Sequence, residues 1–397
     1  MAQVNKKTVK AGFIGSGFAA AFQFEALQKV SSANVEVVGV FSRSQEKRQA
    51  FAQQRGIAVC DSVEAVLDRA EVVHACVPAV AHEPIVLAAL QRDKSVIVEK
   101  PLTGYFGDGS VDFHGDTCPK QTALDHALAS VQRLLSAEEN SQGVILYAEN
   151  WVYAPAIQKE REIIEKTGAQ VLWMVGQESH SGSHSADYGH WRFAGGGSMV
   201  GKACHPLTAA LYLKRVEGRA RNGTPIRPKF VTARTHAVTR HEEFRDEGHL
   251  RMDYHDIEDL AMMHVVFEDG TVGNIFASEL VLGGVHNALE VAANNHRTLC
   301  HINPNTAMTT YNPREENFKD IYVVEKIGTK QGWSPISPDE DWFTGYPQEM
   351  DAFYRTVAYG APLESDSRLA ADAIAAIYSG YVSAEQSGAQ VRVKTFD

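Results

Sequence analysis

The chain lacks the features that mark several classes of protein. Its five cysteines are odd in number and form no C-x-x-C pair, which disfavours a disulfide framework and predicts buried free thiols. No segment approaches the roughly 18 apolar residues of a membrane span, and residues 1–10 carry no signal-peptide stretch. The formal net charge of −11 argues against a nucleic-acid or membrane partner. These absences predict a cytoplasmic protein.

The patterning that is present predicts two domains of the α/β class. At 397 residues the chain is too long for one ordinary core. Residues 1–150 alternate short apolar runs with helical patterns, which indicates a doubly wound parallel sheet of the Rossmann type. In residues 151–397, β-runs separated by turns at 269–270 and 294–295 predict an α+β domain with an open, mostly antiparallel sheet. We expect a final helix over residues 367–386 to pack back on a sheet.

A glycine turn near the N-terminus predicts a dinucleotide site. An apolar run leads into Gly15-x-Gly17-x-x-Ala20, and a helix pattern follows. Gly15 permits a tight turn, Gly17 lets backbone N–H groups approach a pyrophosphate, and Ala20 allows helix and strand to pack closely. We count Phe18 and Ala19, at the helix start, with the cofactor-binding residues.

The residues after the second predicted strand bear on the choice of cofactor. An NAD site commonly offers an acidic residue there for the ribose 2′-hydroxyl, whereas Arg or a hydroxyl residue accommodates a 2′-phosphate. This chain has Ser42, Arg43 and Lys47 instead of an acid. We therefore expect NADP slightly ahead of NAD, which stays open because an arginine can also stack on adenine.

A lysine and a histidine are the candidate catalytic residues. Lys100 follows an apolar strand in the run Glu99-Lys100-Pro101, and the carboxyl ends of parallel strands line the ligand crevice. There it can hydrogen-bond a substrate hydroxyl and stabilise the alkoxide that develops as hydride leaves. His205 can accept the hydroxyl proton near neutral pH and return it in reduction.

In these motifs the chain resembles the glucose–fructose oxidoreductase/inositol dehydrogenase/MocA family. The matches are the glycine turn, Pro78 with His82, Glu99-Lys100-Pro101, and the block from Gly195 to Pro206. The resemblance implies a Rossmann domain, an open-sheet domain, and NAD(P) meeting a sugar or polyol between them for reversible hydride transfer. It also implies that Pro78, His82 and Glu99 border the cofactor, and that no metal is needed.

Two departures from the family pattern bear on mechanism. The resemblance makes Lys100 the family's lysine and His205 its acid–base group. Gly201 stands where an aspartate is usual, and Thr208 where a second acid is common, so Lys202 is a candidate substitute. A redox-neutral, NAD-dependent glycosidase or lyase, which oxidises a ring carbon transiently, therefore stays open as an alternative. A non-catalytic dinucleotide sensor is a weaker one, because it would need neither the lysine nor the histidine.

The polar segment from residue 178 to residue 192 is the predicted substrate-binding region. It offers His180, His184, Trp191 and Arg192. Hydroxyl groups need donors and acceptors, an aromatic face can stack on a sugar ring, and an arginine can pair with an anion. A polar surface loop is the alternative. A metal site at the two histidines is disfavoured, because no further ligand pattern completes it.

Three further features are assigned with alternatives. In the resembling family the segment that holds Asn150 and Tyr153 borders the substrate, which implies that both contact it, but Trp151 and Tyr153 are equally suited to filling an interdomain core. The loop-like insertion at residues 105–119 suits a lid, a subunit contact or a ligand contact, or is a tolerated surface insertion. The resemblance also implies a homodimer or homotetramer formed through the open sheet face.

Overall fold

A computed structural model describes residues 6–183, 185–303 and 308–396. In the N-terminal part, five parallel strands form one sheet in the order β2-β1-β3-β4-β5. These strands are β1 (Thr8–Ile14), β2 (Asn34–Phe41), β3 (Val72–Ala75), β4 (Ser95–Glu99) and β5 (Ile145–Ala148). The parallel sheet is as the sequence predicts, and a single bridge between Val40 and Val59 adds to it beyond β2.

Helices cover this sheet, which explains the apolar strand sequences. β3 and β5 are buried along their whole length, as expected for parallel strands with both faces covered. The helices are α1 (Phe18–Leu27), α2 (Gln45–Arg55), α3 (Val63–Leu67), α4 (His82–Leu90) and α5 (Lys120–Glu139). The connections after β1, β3 and β4 therefore lie at the carboxyl edge of the sheet, where doubly wound folds bind ligands.

Seven strands form a second, mostly antiparallel sheet in the order β11-β10-β6-β9-β8-β7-β14. Within this sheet, β6 and β9 are the one pair of described strands that run parallel. The strands are β6 (Val171–Ser179), β7 (Pro228–His236), β8 (Leu260–Phe267), β9 (Val272–Ser278), β10 (His286–Ala293), β11 (Arg297–His301) and β14 (Val391–Arg392). A separate hairpin is formed by β12 (Thr309–Asn312) and β13 (Gly332–Pro335).

Eight helices of the described residues accompany the second sheet. They are α6 (Asn150–Tyr153), α7 (Pro155–Thr167), α8 (Trp191–Ala194), α9 (Ser198–Gly201), α10 (Cys204–Asn222), α11 (Glu340–Thr344), α12 (Tyr346–Tyr359) and α13 (Ser367–Glu385). Among them, α12 packs on α1 and β1, and α13 packs on β7 and α5. The sequence indicated α13 but not α10, the helix that carries His205.

Within the described residues, no helix combines the length and the apolar character needed to cross a membrane.

Candidate functional site

The glycine turn between β1 and α1 has the shape that a pyrophosphate requires. Gly15 has a φ of +113°, and a Cβ atom there would lie 1.9 Å from the carbonyl oxygen of Cys76, so only glycine fits. A Cβ atom on Gly17 would meet nothing within 4 Å, which leaves the backbone open to an approaching group. Gly17 is also the N-cap of α1, where the helix N–H groups favour negative charge. The turn therefore fits a dinucleotide phosphate.

Lys100 follows β4 and points its ammonium towards the second part of the chain. Its Nζ donates a hydrogen bond of 2.8 Å to the carbonyl oxygen of Gly201, at the end of α9. Burial opposes the charge, yet the acidic groups around the ammonium, Cys204 and Glu178 first among them, raise the pKa of Lys100 above its usual value. The residue is therefore a cation throughout the physiological range.

Glu99, the residue before Lys100, is hydrogen-bonded to helix α1. Gln23 of α1 donates from Nε2 to Oε1 of Glu99 at 2.5 Å. The same glutamine contacts Nδ1 of His74 through its own oxygen at 2.7 Å, and Nε2 of His74 lies 2.8 Å from the hydroxyl of Tyr354. A buried polar chain thus links α12, β3, α1 and the end of β4.

His205 lies in the first turn of α10 between two buried glutamates. Its Nδ1 is 2.6 Å from Oε1 of Glu149, the residue after β5, and its Nε2 is 3.9 Å from Oε2 of Glu178 in β6. Burial raises the pKa of Glu149 to about 8 and lowers that of His205 to about 3. Burial also raises the pKa of Glu178. The neutral forms of Glu149 and His205 are thus favoured, and the hydrogen bond between them can carry a proton from one to the other.

Gly201 is glycine because a tyrosine fills the space that a side chain would need. A Cβ atom on Gly201 would lie 1.9 Å from the hydroxyl oxygen of Tyr188. That hydroxyl donates to Oε1 of the buried Glu279 at 2.8 Å. Nζ of Lys202 is 3.8 Å from the same carboxylate oxygen and 5.3 Å from the centre of the Tyr188 ring. Tyr188 thus fills the space beside Gly201, and Glu279 and Lys202 contact the tyrosine.

Three carboxylate oxygens at this site are buried without a hydrogen-bond partner among the described residues. They belong to Glu149, Glu178 and Glu279, and each is the Oε2 atom. Buried acceptors of this kind cost free energy unless a donor reaches them. Together with the ammonium groups of Lys100 and Lys202, they offer both acceptors and donors to a polyhydroxylated ligand.

His180, one of the predicted substrate residues, lies at the edge of this cluster. Its Nδ1 accepts from the backbone N–H of Gly182 at 3.0 Å and lies 3.1 Å from Nζ of Lys326 and 3.6 Å from Oε2 of Glu279. Burial lowers the pKa of Lys326 to about 8. The chain between β11 and α11 thus reaches the polar segment, which the sequence did not indicate. His184, the other predicted histidine, is outside the described residues.

Trp191 and Arg192 hold the insertion at residues 105–119. The indole N–H of Trp191 donates to the carbonyl oxygen of Tyr105 at 2.9 Å. The guanidinium of Arg192 donates to the carbonyl oxygens of Ser110, Val111 and Phe113. This geometry favours an anchoring role for both side chains over the predicted contact with substrate.

Asn150 and Tyr153 are engaged in the core around the end of β5. Nδ2 of Asn150 donates to the carbonyl oxygen of Thr344 at 2.7 Å, and the hydroxyl of Tyr153 accepts from the backbone N–H of Ser365 at 3.1 Å. Both side chains are buried. Of the two roles that the sequence left open, the geometry favours packing between elements.

The remaining predicted cofactor residues lie around the same sheet edge. The buried ring of His82 is 2.8 Å from the carbonyl oxygen of Pro101 through Nδ1, and so ties α4 to the segment after Lys100. Pro78 is exposed at the end of the connection after β3.

Past β2, the hydroxyl of Ser42 is 2.7 Å from that of Ser16 in the glycine turn. Arg43 and Lys47 are exposed nearby. The residues that would meet the ribose are therefore cationic or neutral.

One group of potential metal ligands occurs among the described residues. Ligand atoms of Glu149, Cys204 and His205 lie within 4.8 Å of one another. The carboxylate and the imidazole are already hydrogen-bonded to each other, and burial raises the pKa of the Cys204 thiol to about 12, so that the thiolate a metal prefers is disfavoured. The chemistry of this donor set suits proton transfer better than metal binding.

Local sequence patterns do not predict the acidic half of the site. Glu149 directly follows β5, at the same carboxyl edge of the sheet as Lys100. Glu178 lies in the polar segment beside the predicted histidines. Glu279 and Tyr188 have no local signal, because they are 91 residues apart and meet only in the folded chain.

Comparisons with known proteins find matches in the N-terminal part of the sequence and in the overall fold. Residues 9–110 match the model of the Gfo/Idh/MocA oxidoreductase family, described as an NAD-binding Rossmann fold. The chain is 38% identical over 80 residues to a dTDP-3,4-didehydro-2,6-dideoxy-α-D-glucose 3-reductase from Streptomyces violaceoruber, covering 20% of this chain and 23% of that protein. It is 29% identical over 102 residues to a glucose-6-phosphate 3-dehydrogenase from Bacillus subtilis, covering 26% and 29%. These matches span about a quarter of each relative's length.

A solved structure extends the likeness of fold to nearly the whole chain. The crystal structure of GenD2 from gentamicin A biosynthesis, in complex with NAD, superposes with a TM-score of 0.77 at 21% identity. The superposition covers 98% of this chain and 97% of that one.

Proposed function

We propose that the chain, whose residues 9–110 match the model of the Gfo/Idh/MocA oxidoreductase family, is an NAD(P)-dependent dehydrogenase or reductase. Its substrate would be a secondary hydroxyl, or the matching ketone, of a sugar, cyclitol or sugar derivative. The observation that carries the proposal is the position of Lys100. This lysine follows a strand at the cofactor edge and bonds across to Gly201, four residues before the buried His205.

In this proposal the bound nicotinamide supplies one function, acceptance or donation of a hydride at its C4 carbon. Gly15 and Gly17 hold the pyrophosphate at the N-terminus of α1. The Lys100 ammonium binds the substrate oxygen and stabilises the negative charge that develops on it as the C–H bond breaks. His205 takes the hydroxyl proton at Nε2 during oxidation and gives it back during reduction.

Glu149 completes the proton-transfer unit. When its carboxylate is ionised it accepts Nδ1–H of His205, which leaves the Nε2 lone pair free as a base. When the carboxyl is protonated it donates to Nδ1 instead, and Nε2 then carries the proton needed for reduction. Lys202 would contact a neighbouring substrate oxygen in the region where Tyr188 and Glu279 replace the usual aspartate.

The names of the two relatives suggest which carbon of the sugar ring to test first. One is a 3-reductase and the other a 3-dehydrogenase of hexose derivatives. We therefore propose carbon 3 of a hexose ring as the first candidate for oxidation. Arg43 and Lys47 support NADP slightly ahead of NAD.

A panel of substrates tests this proposal. Hexoses, hexose phosphates, cyclitols and glycosides would each be incubated with purified protein and either NAD or NADP, while reduced cofactor and sugar products are quantified. Reduced cofactor equal in amount to ketone product supports the dehydrogenase. Lys100→Met should abolish turnover. Lys94→Met, which changes the residue just before β4 and outside the site, should not. Failure of every sugar to reduce either cofactor, with ketone substrates equally inert, would reject the proposal.

Glu178 favours a second candidate, the redox-neutral glycosidase or lyase. Its carboxylate lies 3.9 Å from Nε2 of His205 and provides a second buried base. After transient oxidation of a ring carbon, such a base can remove the proton from the adjacent carbon, so that the substituent beyond it leaves. Addition of water and return of the hydride would then restore the cofactor. Glycoside cleavage with solvent deuterium at the adjacent carbon and no net reduced cofactor would favour this candidate.

We also propose that the open face of the second sheet joins subunits. Trp173, Val175, Met262 and Leu299 are each 38–53% exposed and, by strand register, share that face. Apolar area of this kind is typical of a subunit contact. Val175→Glu should convert an oligomer into monomers in light scattering. A wild-type monomer would exclude this arrangement.

A further inference from the structure

The short helix α9 connects the two candidate catalytic residues. The carbonyl oxygen of its last residue, Gly201, accepts the hydrogen bond from Lys100 at 2.8 Å. The backbone N–H of His205 in turn donates to the carbonyl oxygen of Lys202, the next residue along the chain, at 3.1 Å. A displacement of α9 would therefore move the partner of Lys100 and the base of His205 together.

The beginning of α9 is held by one glutamate through three hydrogen bonds. The backbone N–H of Gly197 donates to Oε2 of Glu258 at 3.1 Å, and that of Met199 donates to Oε1 at 2.8 Å. The N–H of Ser198 donates to the backbone carbonyl oxygen of the same glutamate at 3.0 Å. Three of the N–H groups at this helix end thus donate to residue 258.

Tyr381 of α13 is hydrogen-bonded both to Glu258 and to the backbone before α9. Its hydroxyl donates to Oε1 of Glu258 at 2.8 Å and accepts from the N–H of Gly197 at 3.1 Å. The close packing of Glu258 and Tyr381 against the chain leaves no room for a side chain at position 196 or 197. A Cβ atom on Gly197 would lie 2.0 Å from the Glu258 carbonyl oxygen, and one on Gly196 would lie 2.1 Å from the Tyr381 hydroxyl. This packing is a physical reason for the glycines that precede α9.

Glu258 and Tyr381 do not belong to the cleft described above. They line a separate cavity of about 290 Å³ together with Gly115 and Asp116 of the insertion, and neither Lys100 nor His205 is among its lining residues. Both side chains are buried. Their connection to Lys100 and His205 is the set of hydrogen bonds at the start of α9.

We propose that Glu258, supported by Tyr381, is a positioning residue that fixes α9 and thereby sets the hydrogen bond between Lys100 and Gly201 and the place of His205. The inference rests on the proposed function only for the roles of Lys100 and His205. We call the hydrogen bonds from Gly197, Ser198 and Met199 to Glu258 and Tyr381 the clamp. The clamp is defined by the geometry alone and does not depend on the proposed reaction.

The test uses two variants and one matched control in the full-length protein. Glu258→Gln keeps the size of the side chain but places an amide N–H₂ group against a backbone donor. Tyr381→Phe removes a single oxygen. Ser383→Ala removes a single oxygen from the same helix α13, where the hydroxyl bonds Ala233 and Ala389 rather than the glycines. Thermal unfolding of all three establishes that they fold.

The first readout needs no substrate. Lys100 would be labelled by reductive methylation and its rate followed by mass spectrometry of the peptide. We expect its labelling to rise at least about threefold in Glu258→Gln and Tyr381→Phe, because the hydrogen bond that protects the amine is loosened. Labelling of the exposed Lys159, and all labelling in Ser383→Ala, should match the wild type. Unchanged labelling of Lys100 in both folded variants would overturn the proposal.

The second readout separates positioning from general damage. With a substrate identified in the panel, kcat should fall about tenfold or more while the KM for the cofactor changes little, since small misplacement of catalytic groups is costly. Equal losses of kcat in Ser383→Ala would mean that α13 acts only on stability, against the proposal. If no substrate is turned over, the proposed function fails, but the labelling result still decides the clamp.

Discussion

Replacing Glu149 by Gln should remove one ionisation from the pH dependence of substrate oxidation. Nδ1 of His205 lies 2.6 Å from Oε1 of Glu149, and burial raises the pKa of that carboxyl to about 8 while it lowers that of the imidazole to about 3. Nε2 acts as a base only when Glu149 is ionised and accepts Nδ1–H. The ionisation that activates the site is therefore that of the pair, near the pKa of Glu149.

The size of the effect follows from that pKa. Two units below it, roughly one molecule in a hundred holds the ionised carboxylate, and one unit below it roughly one in ten. We expect kcat for oxidation to rise about a hundredfold from near pH 6 to a plateau above about pH 9. Reduction needs the protonated pair, so its kcat should fall over the same range.

The assay is a pair of pH profiles, one for each direction, in the wild type and in Glu149→Gln. The variant should lose at least about tenfold at the plateau, the value of one charge-assisted hydrogen bond, and its profile should no longer titrate near pH 8. Glu160→Gln is the matched control, because it breaks a Glu–His contact of 2.7 Å to His296 outside the site. A wild-type limb near pH 6.5 that persists in Glu149→Gln would refute the reasoning, since His205 would then titrate alone.

The same substitution has a consequence for stability that needs no substrate. A carboxyl whose pKa is raised by folding contributes stability that is complete below its unfolded pKa and is lost as the pH rises through the folded pKa. For Glu149 that loss falls between about pH 4.5 and about pH 8. The free energy of unfolding of Glu149→Gln should therefore decline less over this range than that of the wild type.

Three further predictions concern single positions. Gly201→Ala should abolish activity or folding, because its Cβ atom would lie 1.9 Å from the Tyr188 hydroxyl; full activity would exclude the tight packing described. Arg43→Ala should raise the KM for NADP at least several-fold more than that for NAD, as measured by cofactor titration, and an equal effect on both would remove the argument for NADP. Arg192→Ala should lower the melting temperature and speed proteolysis within residues 105–119 with little change in the KM for sugar, whereas a selective rise in that KM would restore its role in substrate binding.

Local sequence rules predict much of the fold because its strands and turns are encoded locally. The glycine turn, the apolar strands and the position of Lys100 follow from period and spacing within short windows. The helix that carries His205, α10, was not indicated, because residues 204–218 are buried on every side and show no clear amphipathic stripe.

The acidic half of the site depends on contacts between distant segments. Glu149 and His205 are 56 residues apart, and Tyr188 and Glu279 are 91 residues apart. No local pattern predicts such contacts. The sequence shows a glycine at position 201, but only the structure shows that Tyr188 fills the space beside it. Likewise, the sequence around Trp191 suggests that its ring stacks on a sugar. Only the structure shows that its indole N–H donates a hydrogen bond to the carbonyl oxygen of Tyr105 in the insertion.

The central claim is direct hydride transfer between a sugar carbon and nicotinamide with Lys100 on the oxygen. Its most direct test uses hexose and hexose phosphate deuterated at carbon 3, incubated with the protein and NAD or NADP, with mass analysis of the recovered cofactor and sugar. We predict one deuterium in each reduced nicotinamide, matched by an equal amount of ketone, and none with Lys100→Met. Ketone formed without deuterated cofactor, or deuterium kept in a cleaved sugar with no net reduced cofactor, would contradict the claim.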